Sequence, residues 1–179
     1  MLQLWVITRT DVPKPVLGGL VALNTVLAVA LQVRATRGAS TMPGVIRLTR
    51  AAALSAAIAC PIAAATGMTH GWPTVALLFL AVLLFTGTEL WISAAQWYIQ
   101  MEIPPAAQRG VYSGLDRSMQ GVTRMAGPAG LTLLVIGTGG WGWWVIGAGF
   151  AACALAVRPA MAWIERTPRT AERHTVEPA

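Results

Sequence analysis

Charge is scarce in this sequence. Only 11% of its 179 residues are Asp, Glu, Lys or Arg, where soluble domains carry roughly 25%. With 55% hydrophobic residues and a mean hydropathy of +0.60, a water-soluble fold of this size has too little core to hide its apolar side chains. Histidine and cysteine are scarcer still, two of each. His70 opens a turn and His174 lies in a polar tail, while Cys60 and Cys153 sit in apolar runs with no second ligand at metal spacing. The cysteines read as small buried hydrophobes rather than a disulfide or zinc pair, and no cofactor or metal is expected. The chain has no glycine-rich nucleotide loop, no HExxH pair and no GxSxG elbow, so no enzyme is expected. Thirteen Lys and Arg against seven Asp and Glu give a net charge of +6. These charges lie between apolar runs rather than on one face with stacking aromatics, which argues against a nucleic-acid partner.

Long apolar stretches are what the chain has in plenty. A bilayer-spanning helix needs about 20 mostly apolar residues, and five stretches approach that length: residues 12–33, 47–68, 73–101, 109–137 and 141–165. The expected fold is therefore all-α, a polytopic transmembrane bundle of about five spanning helices whose main partner is the lipid bilayer. The first stretch has Pro13 and Pro15 near its start, where proline is tolerated, and stops at Arg34, Arg37 and Gly38. Pro61 should kink the second. The third begins apolar and turns polar through Thr86, Thr88, Glu89, Ser93 and Gln96. The fourth carries Asp116, Arg117, Gln120 and Arg124 before Gly127 and Pro128, which supply a second kink. Trp141, Trp143 and Trp144 at one end of the fifth, and Trp163 at the other, read as interfacial belts. Residues 2–7 are too short to span and read as the end of a truncated further helix. The domain is thus expected over residues 1–165, with residues 166–179 a disordered cytoplasmic tail.

Basic residues set the expected orientation. With alternate loops on opposite sides, one side receives Arg34, Arg37, Arg47, Arg50, Arg109, Arg117, Arg158, Arg166, Arg169 and Arg173. The other receives Arg9 and Lys14, and Arg124 stays within a helix. Ten against two puts the C-terminus in the cytoplasm and the N-terminus outside, in a multi-pass protein of the plasma membrane.

Ionisable groups inside spans cost at least ~2.5 kcal/mol each on insertion scales, so they are functional candidates by default. Glu89, midway along the third stretch, is the clearest. A carboxylate there can shed its charge by taking a proton, which makes it a candidate proton carrier; a structural hydrogen-bonded carboxylate is the alternative. Helical spacing groups Ser93 and Gln96 with Glu89, and Gly87, Trp91 and Tyr98 on another stripe. Gln120 and Arg124, with Asp116 a turn earlier, form a polar stripe on the fourth stretch, and Asn24 is a lone polar residue in the first. Asn24, Gln96, Gln120 and Arg124 are accordingly candidate cavity residues, with helix–helix hydrogen bonding the alternative for Asn24 and snorkelling the alternative for Arg124.

From residue 87 to residue 130 the chain reads GTELWISAAQWYIQMEIPPAAQRGVYSGLDRSMQGVTRMAGPAG. An acidic residue before an aromatic (Glu89, Leu90, Trp91) is followed by Pro104 and Pro105, then Arg109, Gly110, Tyr112 and Gly114, then Gly127 and Pro128. In this order the segment resembles the tenth and eleventh helices of bacterial drug-exporter-like major facilitator superfamily transporters. The resemblance implies helices eight to twelve of a twelve-helix protein, a partial C-terminal half. It further implies proton-coupled transport of a small molecule, in the direction of efflux, with Arg109, Gly110, Tyr112 and Gly114 closing an inner loop. The family's substrate lies between two halves, so a separate N-terminal half, or a second copy, is the partner implied. An isolated half is expected to be inactive, and a membrane assembly subunit that pairs with such a half or with itself is the alternative function.

Overall fold

The computed structural model describes residues 2–10, 14–36, 38–102 and 109–166. Six helices make up its elements: α1 (Leu2–Arg9), α2 (Lys14–Thr36), α3 (Met42–Ala65), α4 (Trp72–Glu102), α5 (Arg109–Gly137) and α6 (Gly142–Arg166). The expected turn at Pro104 and Pro105, the stop at Arg37 and the tail beyond residue 166 lie outside the described residues.

Local chemistry sets most of the boundaries. Thr41 takes an extended backbone, φ −140° and ψ 150°, and its hydroxyl accepts the Gly44 N–H at 3.3 Å, with Pro43 in the first turn. This cap starts α3 upstream of the expected residue 47. Arg47 and Arg50 therefore lie in helix rather than in a connecting loop. Gly71, at φ 70°, turns the chain into α4, and Gly139 and Gly140, at φ 64° and 104°, turn it from α5 into α6. Those backbone angles favour glycine because it has no Cβ to clash. Pro61 and Pro128 sit inside α3 and α5, whose helical assignment runs through both.

α3 is the hub, packed between α4 and α6, and α2 lies on the other side of α4. Its buried face is built from small residues: Ala52, Ala53, Ala56, Ala59, Cys60 and Ala63. Small side chains let helix backbones approach closely, which is how helices associate where no hydrophobic drive separates protein from solvent. Side-chain hydroxyls stitch the same interface: Ser55 donates to the Leu84 carbonyl at 2.8 Å, and Thr88 lies 3.2 Å from the Ala52 carbonyl. On the α6 side Arg50 Nε donates to the Ala154 carbonyl at 3.3 Å.

The segment read as the end of a truncated helix forms α1, and it is firmly seated. Trp5 and Val6 are buried. The Trp5 indole N–H donates to the Thr66 hydroxyl at 3.1 Å, and its ring meets Trp143 edge-on with centroids 6.1 Å apart. Trp143 thereby departs from the expected belt: it is 1% exposed and belongs to the core, while Trp141 and Trp144 remain exposed.

Among the described residues three helices are long and apolar enough to cross a membrane: Met42–Ala65, Trp72–Glu102 and Gly142–Trp163. The apolar part of α2 is the shorter segment Gly18–Val33, and α5 is not among the three. α5 is instead amphipathic, and its two faces are arranged in an unusual way. Val111, Leu115, Met119 and Val122 point away from the protein, each at least 64% exposed. Over residues 109–130 the half-buried positions are Ser113, Asp116, Gln120 and Gly127, while nearer the end of the helix Thr132, Leu134 and Ile136 are half-buried and Val135 is buried. A water-soluble amphipathic helix has the opposite arrangement, with its apolar stripe turned inward.

Candidate functional site

α4 carries the site. Thr86, Glu89 and Ser93 follow one another at helical spacing, so they share the flank of α4 that looks toward α2. At the first of these positions the Thr86 hydroxyl donates to the side-chain carbonyl of Asn24 on α2, and it also lies 2.8 Å from the Val82 carbonyl of its own helix. Thr86 is buried and Asn24 half-buried. Asn24 thus makes the helix–helix hydrogen bond that was one of its two expected roles, and it does so one turn from Glu89.

Two cavities open on either side of this point, and Glu89 lines both. One, about 720 Å³, runs between α2 and the later turns of α4, lined among others by Gln32, Ser93, Trp97, Tyr98 and Glu102. The second, about 490 Å³, lies among all six helices, where Asn24 and Glu89 are joined by apolar and aromatic side chains including Phe85, Trp143 and Phe150. Among the described residues neither lining includes Lys, Arg or His. Volumes of this size suit small organic molecules. The chemistry on offer is an apolar wall with one carboxylate at the junction, a carboxamide beside it and a second carboxylate, Glu102, at the far end of the larger cavity.

The other candidates fall differently. Gln96 is exposed and lines neither cavity. Gln120 is not a cavity residue either. Its amide donates to Asp116 at 2.7 Å, and the same carboxylate oxygen accepts from Gln100 of α4 at 2.5 Å. Among the described residues this is the side-chain hydrogen bond that ties α4 to α5. Arg124 is exposed and lines neither cavity. Arg109, Gly110, Tyr112 and Gly114, expected to close a loop, form the first turns of α5 and are exposed. Pro61 packs against Gly147 of α6, and a Cβ at Gly127 would meet Thr123 of its own helix at 3.9 Å.

Sequence spacing alone missed Gln32, Trp97, Glu102 and Gln100, and it put Tyr98 on a different stripe from Glu89. Gln32, Gln100 and Glu102 lie at or just beyond the ends of the apolar stretches 12–33 and 73–101. The available hint was periodicity, since Glu89, Ser93, Trp97 and Gln100 recur every three or four residues. Comparison with protein-family models, with curated proteins and with solved structures gives no match.

Proposed function

We propose that this chain is part of a secondary active transporter, a partial C-terminal half of the major facilitator type that moves a small molecule outward in exchange for protons. The observation that carries the reading is Glu89: a carboxylate midway along a helix apolar enough to span, shared by two cavities and one turn from an inter-helix polar contact. A group so placed can bind a proton from one cavity and meet a substrate from the other, which is the requirement for coupling. In this reading five helices span, α2 through α6, with the C-terminus in the cytoplasm. The inverted faces of α5 support its inclusion, because an outward apolar face suits lipid and an inward polar face suits a water-filled cleft. Alternating access rocks one half of a transporter against another, so activity calls for a separate N-terminal half or a second copy.

The test is flux in sealed vesicles. Membranes carrying the chain, with and without a co-expressed N-terminal half of a major facilitator transporter, are given a proton gradient, and internal pH is followed with a trapped dye while candidate small molecules are added. Substrate-dependent proton movement that Glu89→Gln abolishes supports the reading, and equal proton movement in the variant overturns the coupling role. The exposed apolar face of α5 favours one alternative, an assembly subunit that binds another membrane helix without transport. Stable pairing with no flux for any compound would favour it.

A further inference from the structure

α3 and α6 run antiparallel, and three arginines collect at one end of the seam between them. Two direct contacts set the register. The α6 backbone at Gly147 meets Cys60 of α3, and farther along the seam Arg50 Nε donates to the Ala154 carbonyl at 3.3 Å. Counted from the first contact at about 1.5 Å of rise per residue, Arg158 lies about 16 Å along α6, and Arg50 and Arg47 lie about 15 and 20 Å along α3. The three thus stand within about one turn of one another. They also share a side. Arg47 and Arg50 are three apart on α3, and Arg158 is one turn past Ala154 on α6. The carbonyl that Arg50 reaches is the helical acceptor for the Arg158 N–H, so the Arg50 guanidinium lies against the backbone that carries Arg158.

These charges have no carboxylate beside them. α3 contains no acidic residue, and Glu165, the acidic residue of α6, lies about two turns past Arg158. Glu89 and Glu102 of α4 line the cavity on the α2 side. Arg47 and Arg158 are exposed and Arg50 is half-buried, and among the described residues none of the three makes an ion pair. Guanidinium groups crowded together on apolar helices repel one another and are costly without an anion. Exposed apolar side chains lead from them toward the middle of the helices. On α3 the stripe that begins with Arg47 and Arg50 continues through Leu54 and Ile58, 47% and 54% exposed, and on α6 Leu155, 74% exposed, stands one turn before Arg158. Positive charge at the end and bare hydrocarbon toward the centre complement a lipid, whose headgroup lies at the edge of a bilayer and whose chains point inward. A free anion would leave the apolar stripes unused.

We propose that Arg47, Arg50 and Arg158 form a binding site for the phosphate of an anionic phospholipid whose chains lie along Leu54, Ile58 and Leu155. The phosphate oxygens accept from the guanidinium forks of Arg47 and Arg158, a geometry that suits arginine to phosphate. Arg50, held by its Nε to the Ala154 carbonyl, keeps its terminal N–H groups at the seam for the same oxygens. Basic pockets between spanning helices bind acidic headgroups in this way. An ammonium-bearing headgroup finds no carboxylate here, which selects an anionic lipid over a zwitterionic one. The bound lipid lies across both helices and clamps α3 to α6. The site requires that these two helices cross a membrane, as their length and apolarity allow, and draws nothing from transport.

Lipid binding to the full chain in a non-ionic detergent tests the site, with occupancy read by native mass spectrometry. Phosphatidylglycerol is titrated beside phosphatidylcholine of the same chain length, and inorganic phosphate is added as a competitor in a third series. Phosphatidylglycerol is expected to bind at least about tenfold more tightly than phosphatidylcholine. Arg47→Gln and Arg158→Gln, both at exposed positions, are each expected to weaken it about fivefold and together about 25-fold, because a basic residue near an acidic headgroup contributes about a factor of five. Arg109→Gln combined with Arg117→Gln removes the same net charge from α5 and is expected to leave the binding unchanged. An equal loss in that α5 control would reduce the effect to net charge and overturn the proposal. Equal binding of the two lipids, or displacement of the lipid by an equal concentration of inorganic phosphate, overturns it as well.

Discussion

Gly147 of α6 lies so close to Cys60 of α3 that a Cβ added to the glycine would stand 3.2 Å from the Cβ of the cysteine. The Ala57 carbonyl is nearly as near, at 3.3 Å, with the Pro61 ring beyond it at 3.6 Å. The two backbones meet here because one offers a glycine and the other a run of alanines. The proline, which leaves a carbonyl without its helical donor, falls within the same interface.

Enlarging Gly147 should therefore separate α3 from α6. Gly147→Leu is expected to cost about 1–3 kcal/mol, the usual price of forcing methylenes into a filled interface. The measure is the midpoint of thermal unfolding in detergent, with Gly149→Leu as the control. Gly149 is on the same helix with nothing within 4 Å of its added Cβ, and its substitution should leave the midpoint nearly unchanged. Equal losses at the two positions would show that the close approach does not matter to stability.

Trp5 is the anchor of α1. It is 2% exposed, donates to Thr66, and fits so tightly against Gly140 that a Cβ there would come within 2.9 Å of its ring. Trp5→Ala should lower stability by about 3 kcal/mol through lost packing. Trp5→Phe, which keeps most of the ring and removes the N–H, should lower it by about 1 kcal/mol. The same detergent unfolding series measures both, and limited proteolysis should cut within residues 2–10 in the alanine variant first. A phenylalanine variant as unstable as the alanine one would assign the anchor to the hydrogen bond instead of the ring.

Much of this architecture was legible in the sequence, for reasons that differ by element. The bounds of α5 matched the expected residues 109–137 because a glycine-rich turn on one side and an arginine after a proline pair on the other leave few choices. The start of α3 was not legible from hydropathy: Thr41 and Pro43 mark it, but Arg47 and Arg50 look like loop charges until the helix carries Arg50 to the Ala154 carbonyl. Glu89 stood out because an isolated carboxylate in an apolar run has no ordinary role. Its setting did not, since the Asn24 contact and the two cavities depend on how α2 lies against α4, and no spacing within one helix encodes that. Asp116 and Gln120 were visible as a stripe, yet the partner that gives the stripe its meaning, Gln100, lies on another helix. Trp143 misled for a similar reason: tryptophans cluster at interfaces and also at the docking points of short helices, and only the seat of Trp5 separates the two.

The orientation of α5 gives the strongest remaining contrast between environments. If α5 lies within a bilayer, its outward positions Leu115, Met119 and Val122 touch lipid, and Gln120 and Arg124 look into the protein or water. Single cysteines at these positions, in a chain whose own two cysteines are replaced by alanine, should divide into two classes. Leu115→Cys and Val122→Cys are expected to resist a membrane-impermeant maleimide, while a nitroxide at either is relaxed by oxygen, which dissolves in hydrocarbon. Gln120→Cys and Arg124→Cys are expected to react through the polar seam at least about tenfold faster, because thiol alkylation requires the thiolate and hence water. Uniform reactivity at all four positions would mean that α5 lies outside the membrane, and the inverted arrangement of its faces would then mark a docking surface for another protein. Protection at the outer positions, with reactivity confined to the inner ones, would make α5 a spanning helix in spite of its charges, since only a lipid exterior and a wet interior make that arrangement favourable.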